Sequence, residues 1–263
     1  MEYLAYLAIG ALVGFAAGLL GIGGGVVMVP LLVFVFSASG IASEQVLHTA
    51  LGTALAAMVF TSVSSMRAHH RHGGVDWAIA RAMSPGMLAG SFAAALIAGF
   101  IPTRPLAIGF TALVFYAGVQ ILFDLKPPGS RDLPGAAGLF AAGAAIGAIS
   151  SLLAAGGAFM TIPFLAWCKV PLRRAIGTAA ANGLPIAIAG TAAYIINGLR
   201  AEGLPRFSVG YVYLPALAMV VATSMLAAPM GARLAHRLPV KRLRTIFALM
   251  LFGFATKMLG GLW

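Results

Sequence analysis

The chain has 263 residues, 61% hydrophobic and only 9% charged, with 17 Lys and Arg against 6 Asp and Glu for a formal net charge of +11. A soluble domain carries roughly 25% charged residues and about 45–50% apolar ones, so a soluble fold is excluded. The charges sit in short loops between continuous Ala-, Leu- and Gly-rich runs near the ~20 residues that cross a bilayer, without the alternating ~10-residue pattern of a membrane β-barrel.

An all-α polytopic membrane protein follows. In that setting the basic excess anchors cytoplasmic loops rather than binding nucleic acid. Cys168 is the single cysteine, which excludes an intrachain disulfide and a multi-cysteine metal cluster. Met1-Glu2-Tyr3 lacks a basic n-region, so the first apolar run is expected to stay as a membrane segment rather than to be cleaved as a signal peptide.

In chain order, the first apolar segment is Leu4–Leu20, followed by the glycine cluster Gly21-Ile-Gly-Gly-Gly25. Val26–Ile41 is a short second segment containing Pro30, and Val46–Met66 is the third. A basic loop, Arg67-Ala-His-His-Arg-His-Gly-Gly74, precedes Val75–Ile101, and the turn Pro102–Pro105 leads into Leu106–Phe123. Asp124–Leu133, with Pro127-Pro128-Gly129, has the composition of a linker. Five further segments follow: Pro134–Leu153, Phe159–Cys168, Ala175–Asn197, Val209–Met230 and Arg244–Trp263.

The second five repeat the first. Gly23, Gly24 and Pro30 recur as Gly156, Gly157 and Pro163 at an offset of 133. Gly52-Thr53-Ala54 recurs as Gly177-Thr178-Ala179 at 125, and Pro102, Leu106 and Phe110 as Pro239, Leu243 and Phe247 at 137. Order is kept and the offset changes only across loops, the mark of a duplication. The expected domains are a first transmembrane repeat (1–123), a linker loop (124–133) and a second transmembrane repeat (134–263).

Charge chooses between two topologies. If the short second and seventh segments cross, each half has five crossings and the halves are inverted. Thirteen of the 17 basic residues then share one side, against Arg104, Arg200, Arg206 and Lys257 on the other. If they do not cross, the split is eight against nine and carries no orientation signal. Cytoplasmic loops carry the Lys and Arg excess, so the expectation is two inverted repeats of about five segments. That gives eight to ten transmembrane helices, basic loops cytoplasmic, in the inner (plasma) membrane. Phe159–Cys168 is too short to span, so it is expected to penetrate halfway and emerge opposite.

The glycine-rich helix breaks carry the chemistry. Hydrocarbon tolerates irregular backbone only where it is buried or lines a wet cavity. Glycines leave amides unshielded, and Pro30 and Pro163 each free a carbonyl one turn earlier. Unpaired amides beside a helix N-terminus suit an anion, and broken segments at matching places in two inverted halves point to a transporter site. Close helix packing is the competing use of membrane glycines; duplication of the glycine–proline motif favours the site. The candidate substrate-binding residues are Gly23, Gly24, Gly25, Pro30, Thr53, Gly156, Gly157, Pro163, Thr178 and Asn182. The Thr53 and Thr178 hydroxyls either bind an oxyanion or back-bond to their own helix. Asn182, one turn after Thr178, either touches substrate or bonds between helices.

Gly18-Leu-Leu-Gly-Ile-Gly-Gly-Gly25 with Val29-Pro30, Ala50-Leu-Gly-Thr53, and the second copies with Pro163 and Ala175-Ile-Gly-Thr178 resemble the TauE/SafE family of membrane transporters, named for sulfite and sulfonate export. The likeness runs through essentially the whole chain. It implies transport of small sulfur-containing or related organic anions. The second break departs from the first, with Ala154, Ala155 and Ala158 where Gly21, Ile22 and Gly25 stand.

Other polar residues read as scaffold. The His69, His70 and His72 cluster is expected to be a solvated basic loop and His48 an interfacial residue or a pH-sensitive gate. Lys257 is expected to snorkel or to attract substrate. Tyr194, Tyr211 and Tyr213 are expected at the membrane interface. All six acids lie in loops or at segment ends; no carboxylate relay is placed mid-membrane. There is no Walker A, HExxH, nucleophile-elbow or haem-ligand pattern, so no enzyme and no cofactor or metal is expected. The reading is a secondary transporter, an exporter of small anions such as sulfite, thiosulfate or organosulfonates, working by alternating access. A structural subunit anchoring a partner enzyme and an anion channel are the alternatives. Its partners are the substrate anion and the lipid bilayer, with homo-oligomerisation left open.

Overall fold

The structure is a computed structural model describing residues 2–20, 25–123, 129–152, 154, 157–235 and 240–260. These form ten helices: α1 (Glu2–Leu20), α2 (Gly25–Ala38), α3 (Ser43–Arg71), α4 (Trp77–Ala98), α5 (Thr103–Phe123), α6 (Ala136–Leu152), α7 (Ala158–Trp167), α8 (Leu172–Gly198), α9 (Leu214–Ala235) and α10 (Val240–Gly260). Between α8 and α9 a two-strand antiparallel ribbon, β1 (Ser208–Val209) and β2 (Val212–Tyr213), pairs Ser208 with Tyr213. The expected all-helical chain therefore carries one small hairpin, turned by Gly210 at φ 55°. It occupies the residues expected to begin the ninth segment, and α9 starts at Leu214 instead.

At least two helices, α3 with 29 residues and α8 with 27, are long and apolar enough to cross a membrane. At 1.5 Å per residue they reach about 40 Å, beyond the ~30 Å hydrocarbon core. The surface agrees with a lipid environment: Leu4, Phe100, Leu226 and Ile246 are 70%, 81%, 75% and 68% exposed. α2 and α7, with 14 and 10 residues, measure roughly 21 and 15 Å. Neither spans alone.

α3 and α8 form the buried centre and run antiparallel. Tyr211, beyond the end of α8, stacks on His48 near the start of α3 at 5.2 Å. At the other end Arg173 in α8 donates to the His72 carbonyl just past α3 (2.8 Å). α3 continues through Arg67–Arg71, which the sequence reading assigned to a loop. The reason is that Arg and Ala are good helix formers, and a polar last turn can project into water without ending the helix.

α1 packs on α9, α4 on α6 and α8, and α5 on α10. In lipid, close packing rather than a hydrophobic drive holds helices together, so small residues line the contacts. Gly10 and Gly14 meet the backbone of Val220 and Ser224; a Cβ added to either would stand 2.5 and 2.4 Å from their carbonyl oxygens. Gly86 and Gly90 of α4, and Gly143 and Gly147 of α6, make equally close approaches to each other's helix backbone. Each pair is a Gly-x-x-x-Gly step, which lays both glycines on one helical face.

Candidate functional site

The start of α2 lies against the chain just ahead of α7. Gly25, the first residue of α2, lies against Ala154: a Cβ on Gly25 would stand 1.7 Å from the Ala154 carbonyl oxygen. Ala154 itself is fully buried with φ 46°, a left-handed conformation unusual for a residue with a side chain. Three residues on, Gly157 caps α7 at φ 70° with no side-chain cap. The start of α2 therefore lies against a residue four positions ahead of α7, and a helix N-terminus carries a partial positive charge.

Two buried polar residues neighbour Gly157. A Cβ on Gly157 would lie 3.8 Å from Thr161 Oγ1 and 3.9 Å from the backbone carbonyl oxygen of Asn182. Asn182 is fully buried, and among the described residues its Nδ2 donates to the Met83 thioether, 3.7 Å away. Asn182 Oδ1, Thr161 Oγ1 and Ser150 Oγ find no partner among the described residues. A buried amide left open costs on the order of 1–3 kcal/mol. A weak thioether contact fixes neither end of it, so rotation presents NH₂ or carbonyl to a guest. Thr161 and Ser150 were missed from sequence. The only available signal was a hydroxyl within one turn of the break, which is common in membrane helices.

Gly157 thus lies beside Asn182, and Gly25 beside Ala154, three residues ahead of Gly157. Pro30 is buried one turn into α2, and Pro163 is half-buried in α7. Gly23, Gly24 and Gly156 lie outside the described residues, as do 124–128 of the linker.

Thr53 and Thr178 stand elsewhere, each in a clasp between the first five helices and the last five. Thr178 Oγ1 accepts the backbone N–H of Asp76 (3.0 Å), and Thr53 Oγ1 accepts that of Tyr213 (3.0 Å). The neighbouring glycines permit the approach. A Cβ on Gly177 would meet the Gly74 carbonyl oxygen at 2.1 Å, and one on Gly52 that of Tyr211 at 2.5 Å. Each Gly-Thr step therefore holds the segment that starts α4 or α9. Asp76 then caps α4, accepting from the Ala78 and Ile79 amides (3.1 and 3.3 Å), with Arg174 3.8 Å away. The sequence weighed substrate against back-bonding for these hydroxyls; the bond across to a distant backbone amide is a third use. A hydroxyl accepting an amide keeps its own proton to donate.

Of the tyrosines expected at the interface, Tyr213 is partly buried. Tyr194 is fully buried and Tyr211 nearly so. His48 is also buried, with Nε2 3.1 Å from the Ala98 carbonyl. Asn197 Nδ2 donates to the Ala95 and Leu96 carbonyls (2.9 and 3.1 Å), closing the end of α4. His70 Nδ1 accepts from the Trp77 indole at an exposed site. Among the described residues no group of three or more His, Cys, Asp or Glu could hold a metal.

The fold is that of a multi-helix protein with at least two apolar helices of membrane-crossing length. The chain matches the family profile described as "Sulfite exporter TauE/SafE" over residues 6–258. A "Probable membrane transporter protein" of Haemophilus influenzae is 34% identical over 254 residues, covering 96% of each chain. The "Probable membrane transporter protein YdhB" of Bacillus subtilis is 29% identical, covering 87% of this chain and 88% of that one. "Probable membrane transporter protein MJ0441" of Methanocaldococcus jannaschii is 26% identical, covering 94% and 93%. No solved structure matches. The chain belongs to the TauE/SafE family. It is a membrane transporter, and members of that family are transporters rather than enzymes.

Proposed function

We propose that this transporter exports small sulfur-containing anions, such as sulfite, thiosulfate or organosulfonates, by secondary transport through the Gly25–Ala154 junction. The observation that carries this reading is that Gly25, the start of α2, lies against Ala154 just ahead of the α7 cap Gly157, which in turn neighbours Asn182, a fully buried residue whose Oδ1 has no partner among the described residues. Backbone donors and a positive dipole end suit an oxyanion. The family's description as a sulfite exporter favours the same substrate class. Gly23, Gly24 and Gly156 would add donors, Pro30 and Pro163 would hold the breaks, and Thr53 and Thr178 would orient the elements around them.

The proposed architecture is two inverted repeats, 1–123 and 134–263, joined by 124–133. The helix contacts support it. Exchanging α1 with α6 and α4 with α9 turns the α1–α9 packing into the α6–α4 packing, while α3–α8 and α5–α10 map onto themselves. The same exchange turns the Thr53–Tyr213 clasp into the Thr178–Asp76 clasp. Equivalent helices α3 and α8 run antiparallel, as inversion requires. With both termini outside, the basic loops are cytoplasmic, and α2 and α7 each leave the junction for opposite faces. The halves would rock about that junction and expose it to each side in turn.

Export needs no mid-membrane carboxylate. An anion leaving an interior-negative cell gains about 2.3 kcal/mol per charge per 100 mV. The test is flux of sulfite, thiosulfate, sulfoacetate and non-sulfur carboxylates in proteoliposomes with and without an imposed potential. Saturable, potential-dependent flux of the sulfur anions is expected. Flux indifferent to potential would remove the electrical driving force from the mechanism.

A further inference from the structure

The hairpin between α8 and α9 lays a tyrosine on a buried imidazole. His48, in the second turn of α3, is 4% exposed, and its ring stacks on Tyr211 with centroids 5.2 Å apart. Its Nε2 stands 3.1 Å from the carbonyl of Ala98, the last residue of α4. A carbonyl only accepts, so Nε2 carries the proton and Nδ1 keeps its lone pair. The Glu44 and Ile101 carbonyls lie near the ring, yet Nδ1 makes no hydrogen bond among the described residues. Gln45 Oε1 and Thr49 Oγ1, from the same stretch of α3, are buried without partners there too. So is the hydroxyl of Tyr194, whose ring meets Tyr211 edge-on at 6.4 Å. Buried polar atoms are nearly all paired in folded proteins. An imidazole with a free lone pair, flanked in its helix by two more open oxygens, is a place for a proton to arrive.

The carbonyl end of α4 attracts a positive charge, but no counter-charge waits there. The titratable groups packed near the ring are Tyr211 from the hairpin and, beside it, Tyr194 from α8. Among the described residues no charged side chain pairs with the ring. The charged residues of this end, Glu44 in α3, Arg104 in α5, and Arg200, Glu202 and Arg206 ahead of the hairpin, are all exposed. A buried charge without a partner is costly, so the charged ring is stable only where water reaches it, and Tyr211 must lift away to let water in. We propose that His48 is a proton-binding site whose charging releases the hairpin from α3. The stack joins the first five helices to the last five, and the Tyr213 N–H bond to Thr53 Oγ1 (3.0 Å) lies two residues beyond it. Protonation therefore loosens a contact that must part when the halves move. That its loosening opens the outer end of the transport path rests on the transport reading above; the proton site does not.

The test is hydrogen exchange of the full chain in nanodiscs, followed by mass spectrometry and expressed as protection factors so that the intrinsic pH dependence of exchange cancels. Between about pH 8 and pH 5, the span in which histidine titrates, the peptide over 204–214 should lose protection at least tenfold in the parent. In His48→Gln, whose amide still donates to the Ala98 carbonyl but takes no proton, it should change less than twofold. A second measurement needs no change at His48: with His69, His70, His72 and His236 replaced by Gln, NMR of the one remaining imidazole should show it charging over the pH range in which the hairpin opens. Equal protection at both pH values in the parent, or a loss that persists in His48→Gln, overturns the proposal. So does a ring that stays neutral while the hairpin opens. Thiosulfate is ionised throughout this range, so its flux into proteoliposomes should rise in acid with the parent and stay flat with His48→Gln. A hairpin that opens in acid without any anion flux sinks the transport reading alone. Flux indifferent to pH, with the hairpin opening as expected, sinks the link between the proton site and transport alone.

Discussion

Gly25→Ala adds one methyl group where, among the described glycines, a new Cβ meets the closest obstacle. The new Cβ would stand 1.7 Å from the Ala154 carbonyl oxygen, whereas ordinary carbon contacts begin near 3.5 Å. The obstacle is backbone, so no rotamer relieves it, and the start of α2 must part from Ala154 by roughly 1.5 Å or more. Alanine favours a helix over glycine by about 1 kcal/mol, and overpacking costs about 1–3 kcal/mol. The two nearly offset in stability, so a net loss of no more than about 2 kcal/mol is expected. A 1.5 Å separation of the two breaks should nonetheless disable the site. Thermal unfolding in detergent and sulfite flux in proteoliposomes are to be read together: folded protein, flux reduced at least tenfold. Gly109→Ala and Gly253→Ala, whose added Cβ meets nothing within 4 Å, serve as controls and should transport normally. Gly25→Ala transporting within twofold of the parent would refute the junction as the site.

Thr178→Val should leave the Asp76 amide without its acceptor and cost about 1–3 kcal/mol, with Thr178→Ser close to the parent in thermal unfolding. Thr53→Val should do the same through Tyr213, and near-equal losses are expected because the two clasps share one geometry. Asn182→Ala removes a buried side chain whose one hydrogen bond among the described residues is to a thioether, so unfolding should shift by no more than about 2 kcal/mol while the KM for the transported anion rises at least tenfold; an unchanged KM would remove Asn182 from the site. Cys168 is 5% exposed, and burial pushes its thiol upward against the opposing pull of Arg131. Maleimide should therefore label it slowly near neutral pH, faster as pH rises and the thiolate fraction grows, and fully after denaturation. Rapid labelling of the folded protein at pH 7 would contradict the burial.

The segments, the breaks and the family were legible because each leaves a local mark: apolar length, glycine clusters, prolines at a shared offset. Partners were not. A membrane helix is apolar all round, so periodicity cannot say that Gly52 faces Tyr211 or that Thr53 reaches Tyr213, 160 residues away in sequence. Tyr194 and His48 read as interfacial because both residue types favour that depth; that packing also buries both, beside Tyr211, is a long-range fact no local pattern announces. Polarity misled at Arg67–Arg71, where a helix leaves the bilayer without ending. Lys257 looked isolated in sequence because the Phe34 ring beneath it belongs to another helix.

The decisive measurement is counterflow. Proteoliposomes loaded with unlabelled sulfite are diluted into trace labelled sulfite, and uptake is followed against time. A carrier whose single site alternates between faces produces a transient accumulation of label above equilibrium, present in the parent and absent in Gly25→Ala. Uptake that shows no overshoot and rises linearly with concentration would mark a pore, and uptake no greater than in empty liposomes would contradict sulfite transport altogether.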